Sequence, residues 1–352
     1  MNNIKFIGMD VHQATISAAV VSEKGALLLE TVLEAREKCI VEFMQRWSGE
    51  VHVTFEEGTW ASWLYELLQP HAERVLVCNP RKIAKRGNKS DKIDARKLAY
   101  WLRSGDLSPV YHHDCGVRHL KELSRSYMTL SKDLTRIMNR IKALYRSWGV
   151  ACAGKSCYGE RQRSQWLAKL PQGGVRQRAD QLYQHFDAVH PLLQAARKAM
   201  LAESKKHMVC ARLKKIPYIG PIRATLLIAL VQTPHRFRTK RQLWSYAGLG
   251  LVTVASGEYQ MVQGKPQRHK NPLIRGLNPD CNHDLKYVFK STANRASGGQ
   301  GPFHDFYQNL LAQGMRDDMA RLTLARKIAA IVLVLWKKGV DFDPQQLKRQ
   351  AA

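Results

Sequence analysis

From Leu120 to Trp148 the apolar residues recur at alternating steps of three and four: Leu120, Leu123, Tyr127, Leu130, Leu134, Ile137, Ile141, Leu144 and Trp148. A step averaging roughly 3.5 keeps one apolar stripe along a helix, the pattern of coiled-coil packing. A strand, whose period is two, cannot carry it. The stretch therefore predicts one long helix that must bury its stripe against another. A candidate partner follows: Val175, Ala179, Leu182, Phe186, Val189, Leu193, Ala196 and Met200. Pro191 lies inside that second run, so a kink or break is expected there. The polar, Gly-containing stretch Gly149–Gly159 reads as a connector. Two such helices suggest a helical hairpin or a dimerisation arm.

The chain before this arm alternates short apolar runs with helical patterns. Ile4–Val11, Thr15–Val21, Ala26–Val32, Val51–Phe55 and Arg74–Cys78 read as strands, and Glu23-Lys24-Gly25 as a hairpin turn. Glu37–Trp47, Trp60–Leu68 and Asp91–Arg103 read as helices, the last with Ser90 as a plausible N-cap. The order β-β-β-α-β-α-β-α predicts an RNase H-like mixed sheet. Beyond the arm, Leu213–Ile222 followed by the apolar run Ala224–Val231 resembles a helix-hairpin-helix, in which Gly220 would let backbone N–H groups approach a phosphate. A strand-like run after Ser245–Leu251, a basic stretch Gly264–Arg275, a polar helix, a disorder-prone loop Ser297–Gly301 and a closing helix Met319–Lys338 complete the chain. The predicted organisation is α/β plus all-α. An RNase H-like (RuvC-like) domain spans 1–111, coiled-coil helices span 112–205, and a mostly helical domain spans 206–352.

Charge narrows the partners. The 352 residues hold 56 Lys+Arg and 29 Asp+Glu, a net of +27, and such an excess points to a polyanion. Residues 1–111 hold 15 basic and 14 acidic residues, so nearly all the excess lies beyond them. The seven cysteines are dispersed and form no CxxC pair, which predicts a reduced, intracellular protein. Ile328–Trp336, the longest apolar run, is far short of the ~20 residues of a membrane span. The start runs straight into a strand pattern, so no targeting segment is expected.

The first domain keeps carboxylates where chemistry could use them. Asp10 ends the first strand and Glu56 the fourth, while Asp91 and Asp94 share a helix face one turn apart. In an RNase H-like sheet these positions converge at one edge and could hold two Mg²⁺ ions about 4 Å apart. The set is all oxygen, with no His or Cys, which favours Mg²⁺ or Mn²⁺ over Zn²⁺. Glu57 alternates to the opposite strand face from Glu56, and a strand covered on both sides leaves open which of the two is the ligand. Arg81, Lys82, Lys85, Arg86 and Lys89 precede the helix and would bring a nucleic-acid backbone to the acids. The competing reading is a solvated helix whose acids pair with Lys92 and Arg96.

Six segments carry a resemblance: GMDVHQATISAAV, VTFEEGTWASWLYELL, VCNPRKIAKRGNKSDKIDARKLAYWLRSGDL, LKKIPYIGPIRATLL, YAGLGLVTVASGEYQ and LTLARKIAAIVLVLWKKG. In this order they resemble the DEDD transposases of the bacterial insertion-sequence family "one-ten", the bridge-RNA-guided recombinases. The resemblance implies that Asp10, Glu56, Asp91 and Asp94 are the four acids of a RuvC-like domain, with Glu57 an open alternative to Glu56. It implies that Ser256 attacks a DNA phosphodiester and forms a covalent phosphoserine link, the acids and Mg²⁺ completing the site when two subunits assemble. Read by itself, Ser256-Gly257 is a turn. Further implications are donor and target DNA as substrates, a structured guide (bridge) RNA, a dimer or dimer of dimers, no membrane, and a cytoplasmic, nucleoid-associated location. Lys214, Lys215, Lys265, Arg268 and Lys270 are the candidate nucleic-acid contacts of the C-terminal domain. The alternative function is a metal-dependent junction or strand nuclease that uses water as nucleophile.

Overall fold

The structure, a computed structural model, describes residues 4–82, 91–112, 116–254, 259–268 and 273–348. The chain divides into two compact units, Met1–His113 and Asp114–Ala352. The first unit contains β1 (Lys5–Val11), β2 (Thr15–Ser22), β3 (Leu27–Glu34), α1 (Glu37–Gln45), β4 (Val51–Glu56), α2 (Ala61–Leu68), β5 (Arg74–Cys78), α3 (Asp91–Ser104) and β6 (Pro109–Val110). Its sheet runs β3-β2-β1-β4-β5-β6. β1–β3 pair antiparallel, whereas β4 and β5 are parallel additions. This mixed sheet is consistent with an RNase H-like DEDD domain, and β6 adds a short antiparallel edge.

Strand alternation sorts the two faces. Ile7 and Met9 of β1, with Val53 and Phe55 of β4, pack under α1 and α2 through Ile40, Phe43 and Leu64. Phe6, Leu76 and Cys78 pack on the other face against Leu98 and Leu102 of α3. A helix covers each face, so both faces of β1 are apolar and the strand reads as a continuous run.

The second unit opens with α4 (Arg118–Ser147), followed by α5 (Arg163–Leu167), α6 (Gly174–Ser204), α7 (Met208–Leu213), α8 (Pro221–Val231) and α9 (Lys240–Tyr246). Four strands come next: β7 (Leu251–Val254), β8 (Tyr259–Val262), β9 (Lys265–Arg268) and β10 (Leu273–Leu277). They pair antiparallel as β7 with β10 and β8 with β9. The chain closes with α10 (His283–Ser297), α11 (Pro302–Ala312), α12 (Asp317–Lys338) and α13 (Gln345–Lys348). α11 is a helix that the sequence patterns do not single out. α8 and α12 are apolar on most sides and form the centre of this unit's main core, where Leu227, Ile328 and Ala329 are fully buried. No helix is long and apolar enough to cross a membrane among the described residues.

The two heptad runs form long helices of 30 and 31 residues that pack antiparallel. Leu120 and Met200 meet in the main core, while Tyr145 and Tyr183 share a hydrogen bond of 3.0 Å toward the other end. The expected break at Pro191 is not there: α6 is continuous through it. Pro191 is exposed, while Leu182, Phe186 and Val189 of the same helix pack against the small core and carry the helix through. The connector also differs from a solvated loop. Cys152, Cys157 and Tyr158 turn inward with Trp166 to build a second small core under Ile141, Tyr145 and Tyr183. Trp148, the last residue of the first stripe, caps α4 and is 52% exposed.

Candidate active site

The site begins with a glycine. Gly8 lies mid-strand in β1 on the α3 face, two residues before Asp10. A Cβ there would lie 2.2 Å from the Ala95 carbonyl oxygen and 2.4 Å from the Ala99 amide nitrogen. The helix backbone therefore rests directly on the strand backbone, a use of glycine within strands. Ala95 and Ala99, both fully buried, supply the complementary small face on α3. From Gly8 to Asp10 is about 6.6 Å along a strand; from Ala95 back to Asp91 is about 6 Å along a helix. These matched steps bring Asp91 to the end of β1 beside Asp10.

The contact is made through a residue outside the predicted ligand set. His12 Nε2 lies 3.3 Å from Asp10 Oδ2 and 3.4 Å from Asp91 Oδ2. One donor atom from each of Asp10, His12 and Asp91 falls within 4.8 Å of the others. His12 thus adds an imidazole nitrogen beside the oxygens of the expected set. The signal was present in Asp10-Val11-His12, since residues two apart at a strand end share a face. Burial pushes the Asp10 carboxyl above its ordinary range, His12 opposes that shift, and Asp91 and Asp94 reinforce it. A carboxyl crowded by two others and partly removed from water is poised to accept a cation.

Glu56 belongs to the same face. Gly8 of β1 pairs with Thr54 of β4 and Met9 with Phe55, so the next step sets Asp10 beside Glu56. Glu57 points to the opposite side and bonds His112 Nε2 at 2.5 Å. Asp94 lies one turn along α3 with Lys97 Nζ 3.6 Å from it. Arg96 does not neutralise these acids. Its guanidinium donates in bidentate fashion to Glu30 of β3 at 2.6 and 2.7 Å, which ties α3 across the sheet. Two or three close carboxylates with one imidazole fit a divalent cation, and the oxygen majority suits a hard one.

The basic residues are only partly in view. Arg81 is exposed just after β5, and Lys82 follows it. Lys85, Arg86 and Lys89 lie outside the described residues, as do Ser256 and Lys270. In the second unit Lys214 is exposed at the end of α7, while Lys215 Nζ pairs with Asp341 at 2.5 Å. Lys265 is exposed at the start of β9, and Arg268 ends that strand. Between α7 and α8 the left-handed residue is Tyr218 (φ 65°), not a glycine. Its hydroxyl donates to the Gln300 carbonyl at 2.6 Å and accepts from the Gln300 N–H at 2.8 Å, which holds the turn. Gly220 instead caps α8 without a side chain.

Comparisons with known proteins bear on this arrangement. A transposase family model of the IS110 DEDD type matches residues 7–147, and a model described as "Transposase IS116/IS110/IS902 family" matches residues 210–277. The chain is 24% identical to y4qE of Sinorhizobium fredii, which carries a transposase name, over 95% of this chain and 89% of that protein. It is 23% identical to a 44.8 kDa protein of insertion element IS116 from Streptomyces clavuligerus, over 98% and 95% of the two chains. It is also 27% identical to the transposase for insertion sequence element IS1533 of Leptospira borgpetersenii, over about half of each chain (47% and 50%).

Proposed function

The chain belongs to the IS110/IS116 family of insertion-sequence transposases, and from that premise we propose that Ser256 cuts and rejoins DNA through a covalent phosphoserine link. Asp10, Glu56, Asp91 and Asp94 hold Mg²⁺ in this reading, with Mn²⁺ as a substitute. Transposases of this kind are enzymes that cleave and rejoin DNA, and DEDD types are typically metal-dependent. The observation that carries the proposal is the meeting of Asp10 and Asp91 at the strand end, on the face that Glu56 shares. That shared face favours Glu56 over Glu57 as the fourth ligand. When bound, the cation supplies electrostatic stabilisation of the phosphate's developing charge. His12 holds the two aspartates together and adds a nitrogen donor, which suits Mn²⁺ as well as Mg²⁺.

The chemistry assigned to the chain is transesterification. The Ser256 Oγ–phosphorus bond forms as the bond to one strand's oxygen breaks. The serine loses its proton and the departing strand end gains one. A hydroxyl of the receiving strand then displaces Ser256 and restores it, so the phosphodiester count is unchanged. A serine hydroxyl needs such activation because its own pKa lies far above neutral. The excess positive charge beyond residue 111 binds DNA and a structured guide RNA by their backbones, and base pairing by that RNA selects the sequence. The enzyme works in the cytoplasm as a dimer or dimer of dimers, with residues 112–205 as the arm and 206–352 as the serine-bearing domain.

The test is a denaturing gel of active enzyme with labelled DNA. Ser256→Ala should abolish both the protein–DNA adduct and strand exchange. Asp10→Ala should abolish exchange, and both variants should retain nucleic-acid binding within a few-fold. Recombination by Ser256→Ala would refute the covalent route. The gathering of Asp10, His12 and Asp91 within residues 1–113 favours one alternative: a nuclease that uses water. Free nicks with no adduct would establish it.

A further inference from the structure

A cavity of about 1010 Å³ opens in the second unit between α4, α6, the start of α8 and α10. This is the upper end of the ~300–1,000 Å³ usual for clefts that enclose a small ligand. Its floor is apolar: Met128, Leu201, Leu226 and Val288 line it. Its rim carries Lys132, Arg136, Arg197 and Arg223, of which Arg136 is already paired with Asp133. Asp284 is the one acid in the lining, and Lys132 already neutralises it at 2.6 Å. At the mouth stands Tyr287, 73% exposed.

Arg223 makes the cavity more than a gap between helices. Its guanidinium donates to the Tyr218 carbonyl at 2.8 Å and to the Ser291 carbonyl and hydroxyl at 3.3 and 3.4 Å. All these partners are neutral. Burial pushes its pKa down, as expected for a cation taken from water without an anion beside it. Burying an unpaired charge is costly, and an incoming phosphate would relieve that cost. Gly220 caps α8 with no side-chain acceptor, and a Cβ there would meet nothing within 4 Å. Pro221 has no N–H, so the start of α8 offers an anion the N–H groups of Ile222 and Arg223, which the helix dipole also favours.

A phosphate-seeking arginine, an open helix start, an apolar floor and an exposed tyrosine describe the parts of a nucleotide. We propose that this cavity takes an unpaired nucleotide of the DNA on which the enzyme acts, its phosphate at Arg223 and the α8 N-terminus and its base stacked on Tyr287. A paired base is unavailable to it, since a pocket walled by four helices admits a single strand and not a duplex. The inference rests on the transposase reading for its DNA, but not on Ser256 or the acids.

The test uses the full-length protein in chelator, where the acid site holds no cation. Fluorescence anisotropy compares a short single-stranded DNA, its duplex and an RNA of the same sequence. Tyr287→Ala should leave the fold intact, because the ring is mostly in solvent. It should weaken single-stranded DNA binding about ten-fold, the typical worth of one base–aromatic stack, and leave duplex binding within two-fold. Arg197→Ala, also at an exposed position, should weaken the single strand by a few-fold. Equal losses for single strand and duplex, or no loss for either, would overturn the proposal. So would a loss confined to RNA. A negative result here leaves the phosphoserine chemistry standing, and a missing adduct in the earlier test leaves this cavity standing.

Discussion

Replacing Gly8 by alanine tests whether the acid site is assembled by backbone contact. The added methyl would lie 2.2 Å from the Ala95 carbonyl oxygen, 2.4 Å from the Ala99 nitrogen and 2.9 Å from Leu98 Cβ. Ordinary contact begins near 3.4 Å, so α3 must lift by about 1.2 Å. Two of the three obstacles are backbone atoms that no rotamer change can move. Overpacking costs about 1–3 kcal/mol, and rigid obstacles place this variant at the upper end. At roughly 2–4 °C per kcal/mol for a chain of this class, melting should fall by about 6–12 °C. Asp91 travels with α3, and a misplacement of about 1 Å in a reacting site costs on the order of 100-fold in rate. Thermal melting and strand-exchange rate of the purified full-length protein read both effects. Gly58→Ala is the control, because a methyl there meets nothing within 4 Å, and it should stay within about 0.5 kcal/mol of wild type. A Gly8→Ala protein that melts and recombines like wild type would refute the close-contact account of the site.

Two other outcomes follow from the same structure. In chelator, Asp10→Asn should raise the melting temperature near neutral pH, since burial and two neighbouring acids disfavour the wild-type charge. The folded pKa of Asp10 is raised above its ordinary 3.8, so wild-type stability is greatest below that value and is lost as pH rises through the folded pKa. The gain of the variant should therefore shrink as the pH is lowered toward 3.8, and a variant that is less stable at neutral pH would contradict the account. Pro191→Ala should stabilise α6 by up to about 3 kcal/mol, the helix-interior penalty of proline relative to alanine. The ring is exposed; unchanged or lower resistance to urea would show that proline has a role there.

Much of the first unit was legible because short-range pattern and burial agree there. The strand runs, the hairpin turn and the helices of residues 1–111 fall within a few residues of the observed elements. Asp10 and Asp91 were readable as candidates because a strand end and a helix start announce themselves. What was not legible is the means of bringing them together. Gly8 carries a weak signal, a glycine inside a strand, whose meaning depends on a helix 87 residues later in the chain. His12 carries little signal by itself, because a histidine in a turn has many ordinary uses. Tyr183, one residue off the apolar stripe, is buried where Leu182 was expected to be, because its hydroxyl finds Tyr145 and the Cys157 carbonyl at 3.0 and 2.8 Å. The connector's cysteines and tyrosine gave no periodic cue.

Sequence alone determined the long helical arm, the strand order's class and the uneven charge, because each arises from residues close together in the chain. Tertiary structure decided which side of β4 faces the site, that Arg96 serves Glu30 and not the acids, and that α6 runs unbroken through Pro191. Those outcomes depend on contacts between residues distant in sequence, where one missing Cβ or one buried face outweighs any local preference.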